Sequence, residues 1–474
     1  MKQMQFEKIK NYDEILSHGE AEAKEVVLKV TDEVLNRLDI YKYLKNLIKL
    51  DGNTLTIGKK VVDLNNYDRI YAFSSGKAGN HMARAFEEIL GDKLTAGVTI
   101  IKIKEDIDVQ CLKKTEIFVG GHPLPNEEGV EGCKRMIELA EQMNERDLLL
   151  LGLTGGCSAL MGYPVEGVSL DDLKEATDVM LKNSMWVMDI NDIRGHLSRM
   201  SRGRLGQKIK GAKIFCFEIW DAVGLDDITD YTEPVPIMGT PVGYDTITFE
   251  DIRAIIKKYN IEDKLPASVA DYLMNSGPEE ETPQEMTNDV DYYVTNTLPD
   301  SCKHAMDIAK EMGVEAHILT TYASGESKDF GTFMATLAKE IQMTGNPFKA
   351  PCLIFSAGET TTAIGANDEI TGHGGPSQEL VTSFAIAADE LGLKNVAMLS
   401  MDSEGTDGTC KNAGGITDGT TMKTALGKDV DLRRFLEGHA CYEALTAVGD
   451  GLFTGNTGTN LCDFNVLYVG KADK

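Results

Sequence analysis

The stretch 147–158, Asp-Leu-Leu-Leu-Leu-Gly-Leu-Thr-Gly-Gly-Cys-Ser, decides the fold of this chain. Residues 148–153 are a continuous apolar run, which is typical of a β-strand covered on both faces. A glycine turn follows at 154–158, and a helical pattern comes after it. Because the same order of strand, glycine turn and helix occurs at 69–90, we predict an α/β fold with parallel strands and helices on both faces of the sheet.

The segment 276–289 separates two such patterns along the chain. It contains two prolines and four glutamates and has almost nothing apolar to bury, which favours a linker. We therefore predict an N-terminal α/β domain over 1–275 and a C-terminal α/β domain over 290–474. Each domain is expected to be a mainly parallel sheet flanked by helices, with an active-site cleft between the two.

Charge and cysteine usage exclude several classes of protein. The 48 Lys and Arg residues against 75 Asp and Glu residues give a formal net charge of −27, which disfavours nucleic acids and anionic membranes as partners. The absence of a long apolar run and of a secretory leader predicts a cytoplasmic protein. The nine cysteines include no C-x-x-C pair, so we expect neither a disulfide framework nor a metal site built from cysteine and histidine alone.

Glycines follow several predicted strands, at the position where open α/β sheets bind ligands. The turns around 155–156, Gly358 and 374–375 leave backbone N–H groups accessible, which suits a phosphate or a carboxylate. The alternative is a set of tight turns without a ligand. The chain has neither a P-loop nor the dinucleotide-binding glycine fingerprint, which disfavours the enzyme classes that carry them.

Two groups of basic residues stand out in this acidic chain. Lys77 lies at a predicted helix start, where a positive charge is unfavourable unless an anion is nearby. Its alternative is a solvated surface lysine. Arg194, Arg202 and Arg204 form a second cluster that could clamp an anion or could form surface salt bridges.

A group of carboxylates follows the predicted strand 395–401. Asp402, Glu404 and Asp407 lie on a glycine loop, a composition that could hold a magnesium–nucleotide complex or supply a general base. Capping of the turn by these side chains is the alternative.

Short motifs in order along the chain resemble the class II glycerate kinase family. Those of the first half are 76–78 (GKA), 121–126 (GHPLPN), 154–160 (TGGCSAL) and the residues 191–198 (NDIRGHLS). Those of the second half, which resemble the MOFRL domain of that family, include 357–361 (AGETT), 374–379 (GGPSQE) and 454–460 (TGNTGTN). The resemblance implies transfer of a phosphoryl group from ATP, with Mg²⁺, to D-glycerate or a related small hydroxy acid. It leaves a homodimer open.

The resemblance also implies roles for individual residues. Lys77, Arg194 and Asp221 are expected to be catalytic, and Ser158, His196 and Arg202 to bind the substrate. The expected nucleotide-binding residues are Gly155, Gly156, Gly358, Glu359, Gly374, Gly375 and Asp407. Asp221 and Glu404 are expected to hold the metal. In this scheme Lys77 stabilises the transferring phosphoryl group, and Asp221 deprotonates the hydroxyl or binds magnesium.

The chain departs from the family pattern at several charged positions. Pro376 replaces an arginine of the GGRNQE motif, Lys411 replaces an aspartate, and Ser201 replaces a lysine, with Arg202 one place later. Two alternatives to a glycerate kinase therefore stay open. One is a repurposed, non-kinase relative that binds an acidic metabolite, and the other, less favoured, is a hydroxypyruvate reductase, which would lack its usual glycine fingerprint.

Overall fold

A computed structural model describes residues 6–102, 111–183, 185–223, 230–237, 239–365 and 369–472. The helices are α1 (Tyr12–Leu16), α2 (Ala21–Leu38), α3 (Ile40–Leu47), α4 (Gly79–Leu90), α5 (Glu127–Glu141), α6 (Cys157–Leu160), α7 (Leu170–Lys182), α8 (Val187–His196), α9 (Arg204–Lys208), α10 (Phe249–Tyr259), α11 (Ala267–Asn275), α12 (Leu298–Met312), α13 (Ser327–Thr344), α14 (Pro376–Glu390), α15 (Thr421–Gly427), α16 (Leu432–Glu437) and α17 (Cys441–Val448). The strands are β1 (Ile48–Asp51), β2 (Thr54–Ile57), β3 (Lys60–Asp63), β4 (Arg69–Ser75), β5 (Ala96–Ile101), β6 (Thr115–Val119), β7 (Asp147–Leu153), β8 (Lys213–Trp220), β9 (Val290–Thr297), β10 (Glu315–Ala323), β11 (Cys352–Gly358), β12 (Val396–Asp402), β13 (Gly414–Asp418), β14 (Gly451–Leu452) and β15 (Asp463–Val469). None of the helices in these ranges is long and apolar enough to cross a membrane.

The chain forms two compact units, which we name after their sheets. The parallel-sheet unit comprises Ile40–Ile219 and Ile228–Thr295, and the mixed-sheet unit comprises Met1–Asp39, Trp220–Asp227 and Asn296–Lys474. Each unit contains a six-stranded sheet with helices packed on it, so the predicted pair of α/β domains is confirmed.

The parallel-sheet unit has the strand order β6-β5-β4-β7-β8-β9. The pairings from β6 to β8 are parallel, and Ser75 at the end of β4 lies opposite Leu153 at the end of β7. From β4 the chain continues to β5 on one side, whereas β7 and β8 lie on the other side. Such a reversal of strand order is where open α/β sheets bind their ligands. It places the glycine loops that follow β4 and β7 side by side.

A helical layer of the same unit positions the arginine-containing segment. Helices α7, α8, α10 and α11 pack around an apolar core that includes Leu173, Met180, Ile193, Ile252 and Leu273. Because Ile193 is fully buried in this core, α8 is held in place and the side chains next to it are fixed.

The mixed-sheet unit has the strand order β10-β11-β15-β12-β13-β14. Among the described strands of this sheet, β10 pairs with β11 in parallel and the other neighbours are antiparallel. This pairing differs from the mainly parallel sheet that we predict from the sequence. The reason is that β15, near the end of the chain, inserts between β11 and β12, and that β13 returns beside β12 without a crossover helix.

The path of the chain also differs from the predicted boundaries. Strand β9, which we place at the start of the C-terminal domain, extends the sheet of the parallel-sheet unit. Residues up to Asp39 belong to the mixed-sheet unit, where the fully buried ammonium group of Lys24 lies 2.6 Å from Asp450 and 3.4 Å from Asp418. These partners are far apart in sequence, so no local pattern indicates them.

Candidate functional site

The loops after β4 and β7 are joined at the carboxyl edge of the parallel sheet. The Lys77 N–H donates to the Gly155 carbonyl at 3.0 Å, and the Ala78 N–H donates to Thr154 Oγ1 at 3.1 Å. Gly76 has a φ of +126°, and a Cβ there would lie 2.0 Å from Thr154 Oγ1, so this position requires glycine. The half-buried Lys77 side chain is thereby fixed next to the glycine turn.

His122 is a neighbour of Lys77 that the sequence analysis leaves without a role. A Cβ on Gly156, which has a φ of +82°, would lie 2.9 Å from His122 Cδ2 and 3.4 Å from Lys77 Cγ. Both side chains therefore line the glycine turn. The only signal for His122 in the sequence is its place in the motif at 121–126.

Arg194 on α8 adds a second cation beside this turn. Burial lowers the pKa of its guanidinium group, and the nearby thiol of Cys157 acts in the opposite direction. None of the described residues forms a hydrogen bond or an ion pair with the guanidinium group of Arg194. Ser158, next to Cys157 in α6, is partly exposed. A half-buried cation without an ion-pair partner among the described residues indicates a site for an anion.

Arg202 differs from Arg194 in its partners. Its guanidinium group forms ion pairs with Asp192 and, at 3.1 Å, with Asp245. Arg204 donates to the carbonyls of His196 and Ser198 at 2.9 and 2.8 Å. Both arginines therefore hold the local structure together. For Arg202 this agrees with the salt-bridge alternative, and its predicted contact with the substrate stays a prediction.

His196 lies inside the helical layer. Its ring packs edge-on against Phe249 with the centroids 5.0 Å apart, and Nδ1 is 3.1 Å from the Asp192 carbonyl oxygen. The side chain is fully buried, and this burial lowers the pKa of the imidazole. Nε2 of the ring lies 3.3 Å from Glu281 Oε1. The structure thus gives His196 a packing role, and its predicted contact with the substrate stays a prediction.

Asp221 follows β8 and belongs to the mixed-sheet unit. Asn460 Nδ2 donates to Asp221 Oδ2 at 2.7 Å, and the Cys462 thiol donates to the Asp221 carbonyl at 2.9 Å. Burial raises the pKa of the Cys462 thiol well above its usual value, and nearby carboxylates raise it further. These carboxylates are Asp221, Glu359, Asp402 and Asp463.

Mg²⁺ usually takes one or two protein carboxylates and completes its shell with phosphate oxygens and water, so the members of this group are candidate magnesium ligands. The described residues contain no set of three or more His, Cys, Asp and Glu side chains arranged to hold a metal by themselves.

Asp407 is buried at the start of α14. Its carboxylate accepts the N–H groups of Ser377 and Gln378 at 3.3 and 2.9 Å and the Gln378 side-chain amide at 3.0 Å. A Cβ on Gly375 would lie 2.3 Å from the Asp407 carboxyl carbon, so glycine is required there. These contacts make the Asp407 carboxylate a cap for the start of α14. Its predicted contact with the nucleotide stays a prediction.

The remaining predicted site residues of the mixed-sheet unit differ in how far a ligand can reach their side chains. Gly358 has a φ of +158° at the end of β11, where a Cβ would lie 2.1 Å from the Ala323 carbonyl oxygen. The Glu359 side chain is exposed, whereas Glu404 is buried and accepts the Thr406 hydroxyl at 2.7 Å. Glu359 is therefore more accessible to a ligand than Glu404.

The buried carboxyls of Asp407 and Asp463 allow us to predict how the free energy of unfolding depends on pH. Burial raises the pKa of Asp407 and that of Asp463 to about 7. Nearby carboxylates act in the same direction, and the hydrogen bonds that the two carboxyls accept oppose it only in part. The folded chain therefore retains protons that the unfolded chain releases near pH ~4. We expect the free energy of unfolding to fall as pH rises from about 4 to about 7 and to level off above it.

Urea unfolding of the Asp463→Asn variant checks this expectation. Because this variant lacks one of the two titrating carboxyls, its free energy of unfolding should fall less between pH about 4 and about 7 than that of the wild-type protein. Asp68→Asn is the matched control, because its exposed carboxyl has a pKa lowered by Arg146 and should leave the fall in place. An equally steep fall in Asp463→Asn would contradict the assignment.

Comparison with known families finds matches over both halves of the chain. A family described as "Domain of unknown function (DUF4147)" matches residues 26–274, and the MOFRL family matches residues 352–463. The chain is 34% identical to a glycerate 2-kinase of Pyrococcus horikoshii, with 94% of this chain and 97% of that protein covered. It is 35% identical to a D-glycerate 2-kinase of Thermotoga maritima, with 85% and 91% covered.

Two solved structures also match this chain over most of its length. A crystal structure of a glycerate kinase from Thermotoga maritima matches with a TM-score of 0.75 and 31% sequence identity, covering 94% of this chain and 99% of that chain. A protein of Pyrococcus horikoshii matches with a TM-score of 0.71 and 33% identity, covering 95% and 99%.

Proposed function

We propose that this chain, which belongs to the class II glycerate kinase family, transfers the γ-phosphoryl group of ATP to D-glycerate or a closely related small hydroxy acid. The observation that carries the proposal is the pair of cations at the switch point of the parallel sheet. Lys77 and Arg194 lie beside the same glycine turn, and Arg194 has no counter-ion among the described residues.

In the parallel-sheet unit these cations suit an anionic substrate. We assign the substrate carboxylate to Arg194, because a guanidinium group can bind both carboxylate oxygens at once. Lys77 is a compact point charge, which suits the oxygens of a phosphoryl group in transfer. Ser158, Gly155 and Gly156 supply a hydroxyl and backbone N–H groups beside the two cations.

In the mixed-sheet unit we assign proton transfer to Asp221. The substrate hydroxyl oxygen forms a bond to the γ-phosphorus, the bond between that phosphorus and the bridging oxygen of ADP breaks, and Asp221 takes the hydroxyl proton. The amide of Asn460 holds Asp221 in orientation through its hydrogen bond to Oδ2. Glu359 would hold Mg²⁺, which would neutralise phosphate charge when it is bound with the nucleotide; magnesium binding by Asp221 is the alternative to its role as the proton acceptor.

The substitutions at Pro376, Ser201 and Lys411 bear on the choice of acid. Pro376 is the first residue of α14 and brings no charge to the glycine loop, whereas Lys411 is exposed. Because these changes move positive charge, we expect D-glycerate to have a lower kcat/KM than another small hydroxy acid.

Steady-state measurement of ADP release with Mg-ATP and a panel of small hydroxy acids tests the proposal. We expect acid-dependent ADP release, with the highest kcat/KM for an acid other than D-glycerate. D-glycerate ranking first would show that the substitutions do not alter specificity. The absence of acid-dependent ADP release over the whole panel would favour the repurposed relative.

A further inference from the structure

A carboxylate lies near the carboxyl end of β8, one strand away from the glycine turn that follows β7. Glu218 is paired with Leu153 in the parallel register, and Leu153 directly precedes the turn at 154–158. Neighbouring strands of a sheet are about 4.8 Å apart. Among the last three residues of each of the strands β4 to β8, Glu218 alone carries a charge. No step of the proposed reaction uses this carboxylate.

The Glu218 side chain lies on the face of the sheet where α6 begins. On the opposite face, Phe217 packs against Phe86 of α4 with the ring centroids 5.7 Å apart. Successive side chains of a strand point to opposite faces, so Glu218 and Cys216 share the other face. Burial raises the pKa of the Cys216 thiol well above its usual value, and the charges of Glu218 and of Cys157, the first residue of α6, raise it further. Glu218 and Cys157 are therefore neighbours of the same thiol.

The cations of the candidate site lie near the same end of α6. Burial lowers the pKa of the Arg194 guanidinium group and the Cys157 thiol opposes this shift, so these two side chains are also neighbours. Directly before α6, the Gly155 carbonyl accepts the Lys77 N–H at 3.0 Å. Glu218, Lys77 and Arg194 therefore lie around the start of α6, within the parallel-sheet unit.

Hydrogen bonds hold Glu218 in place, while part of its side chain is exposed. The Tyr292 hydroxyl donates to Glu218 Oε2, and Thr295 Oγ1 donates to the Glu218 carbonyl at 3.0 Å. Tyr292 is buried, whereas Glu218 is partly exposed at the edge of the sheet. A carboxylate can accept about four hydrogen bonds, so the bond from Tyr292 leaves capacity for a hydroxyl of a ligand.

The charges around α6 determine which acids this arrangement favours. An acid anion is attracted by Lys77 and Arg194 but repelled by the like charge of Glu218. A hydroxyl on the acid offsets the repulsion, because it donates a strong hydrogen bond to a carboxylate. A site that binds a hydroxyl also discriminates against an analogue without it, since the polar group of the site is then left without its partner.

We propose that Glu218 determines the substrate specificity of this chain by accepting a hydrogen bond from a second hydroxyl of the acid, one that is not phosphorylated. The inference rests on the proposed function, because it takes the substrate to be a small hydroxy acid whose carboxylate is bound by Arg194. It narrows the substrate class to acids with at least two hydroxyl groups.

Calorimetric titration with matched acids tests the inference without requiring turnover. D-glycerate and the four-carbon D-erythronate carry two or more hydroxyls, whereas D-lactate and 3-hydroxypropionate carry one. We expect the wild-type protein to bind one or both of the first two acids about 10- to 100-fold more tightly than the monohydroxy acids, the range for a hydrogen bond to a charged group. Absence of this preference would overturn the inference. Failure of the proposed function has a different signature, namely acids that bind with the preference but accept no phosphoryl group from ATP.

Two substitutions of Glu218 separate recognition from a structural role. Glu218→Leu removes the acceptor and the negative charge together, so it should weaken binding of the favoured acid by about 10- to 100-fold and leave D-lactate binding level or tighter. Glu218→Gln keeps an acceptor for Tyr292 and should lose part of the preference, which keeps the test decisive if the leucine variant fails to fold. Glu116→Gln is the matched control, because this carboxyl of the same sheet pairs with Arg135 at 2.8 Å and should leave the preference unchanged. An equal loss of affinity for both kinds of acid, or an unchanged preference in the Glu218 variants, would show that Glu218 does not select the substrate.

Discussion

Replacing Lys77 with alanine is expected to lower kcat by about 10²–10⁴-fold, the loss that follows removal of one preorganised transition-state donor. The physical reason is the position of the ammonium group beside the glycine turn, where it can stabilise the charge of a transferring phosphoryl group. The melting temperature without ligand should stay level or rise slightly, since Lys77 lies just before α4, where a positive charge is unfavourable. Steady-state kinetics with Mg-ATP and the preferred acid measure the loss.

Two further variants make this expectation specific. Lys77→Arg should not restore activity, because a planar guanidinium group replaces a compact charge in a close-fitting loop. Lys134→Ala removes an exposed lysine that pairs with Glu131 and should leave kcat unchanged. Full activity in Lys77→Ala would mean that this lysine is a solvated residue at a helix start.

Arg194→Ala should lower kcat/KM by about 10²–10³-fold, in the range found for removing one partner of a buried charge pair. The expected loss reflects the substrate carboxylate, the counter-ion that we assign to Arg194. The same change should leave Tm level or raise it, because it removes a desolvated cation that no described residue balances. Loss of activity with unchanged or higher stability is therefore the signature of this residue.

Arg202→Ala is the matched control and should behave in the opposite way. It leaves Asp192 and the buried Asp245 without their counter-ion, which should lower the free energy of unfolding by about 3–5 kcal/mol. Urea unfolding of both variants, measured beside their kinetics, separates the two roles. If Arg194→Ala were the destabilised variant and kept its kcat/KM, Arg194 would be structural.

The sequence predicts the parallel-sheet unit better than the mixed one. The apolar run of β7 and the glycines behind it determine a buried strand and its ligand-binding end, and these features are local. The direction in which a strand pairs with its neighbours is not determined by its local sequence. The pattern of β15 shows a strand but cannot show that it inserts antiparallel between β11 and β12. For the same reason the segment 276–289, which we predict to be a linker, does not show that β9 after it joins the parallel sheet.

For the candidate site, the sequence indicates residue types but not their partners. Arg194 and Arg202 look equivalent in one basic cluster, and only the fold shows that Asp245 pairs with Arg202 from 43 positions away. Histidine is a residue type that often binds ligands, but the ring of His196 on α8 packs against Phe249. His122 lies far from Lys77 in sequence, and only the fold shows that both side chains lie beside Gly156.

Rapid-quench single-turnover kinetics with enzyme in excess over γ-³²P-labelled ATP test the proposed phosphoryl transfer most directly. We expect the label to move from ATP to the acid in the wild-type protein, with one ADP formed per labelled product. We also expect the rate of this step to fall in Lys77→Ala while ATP still binds. A wild-type protein that transfers no label to any acid of the panel, or a Lys77→Ala variant that transfers it at the wild-type rate, would contradict the proposed function.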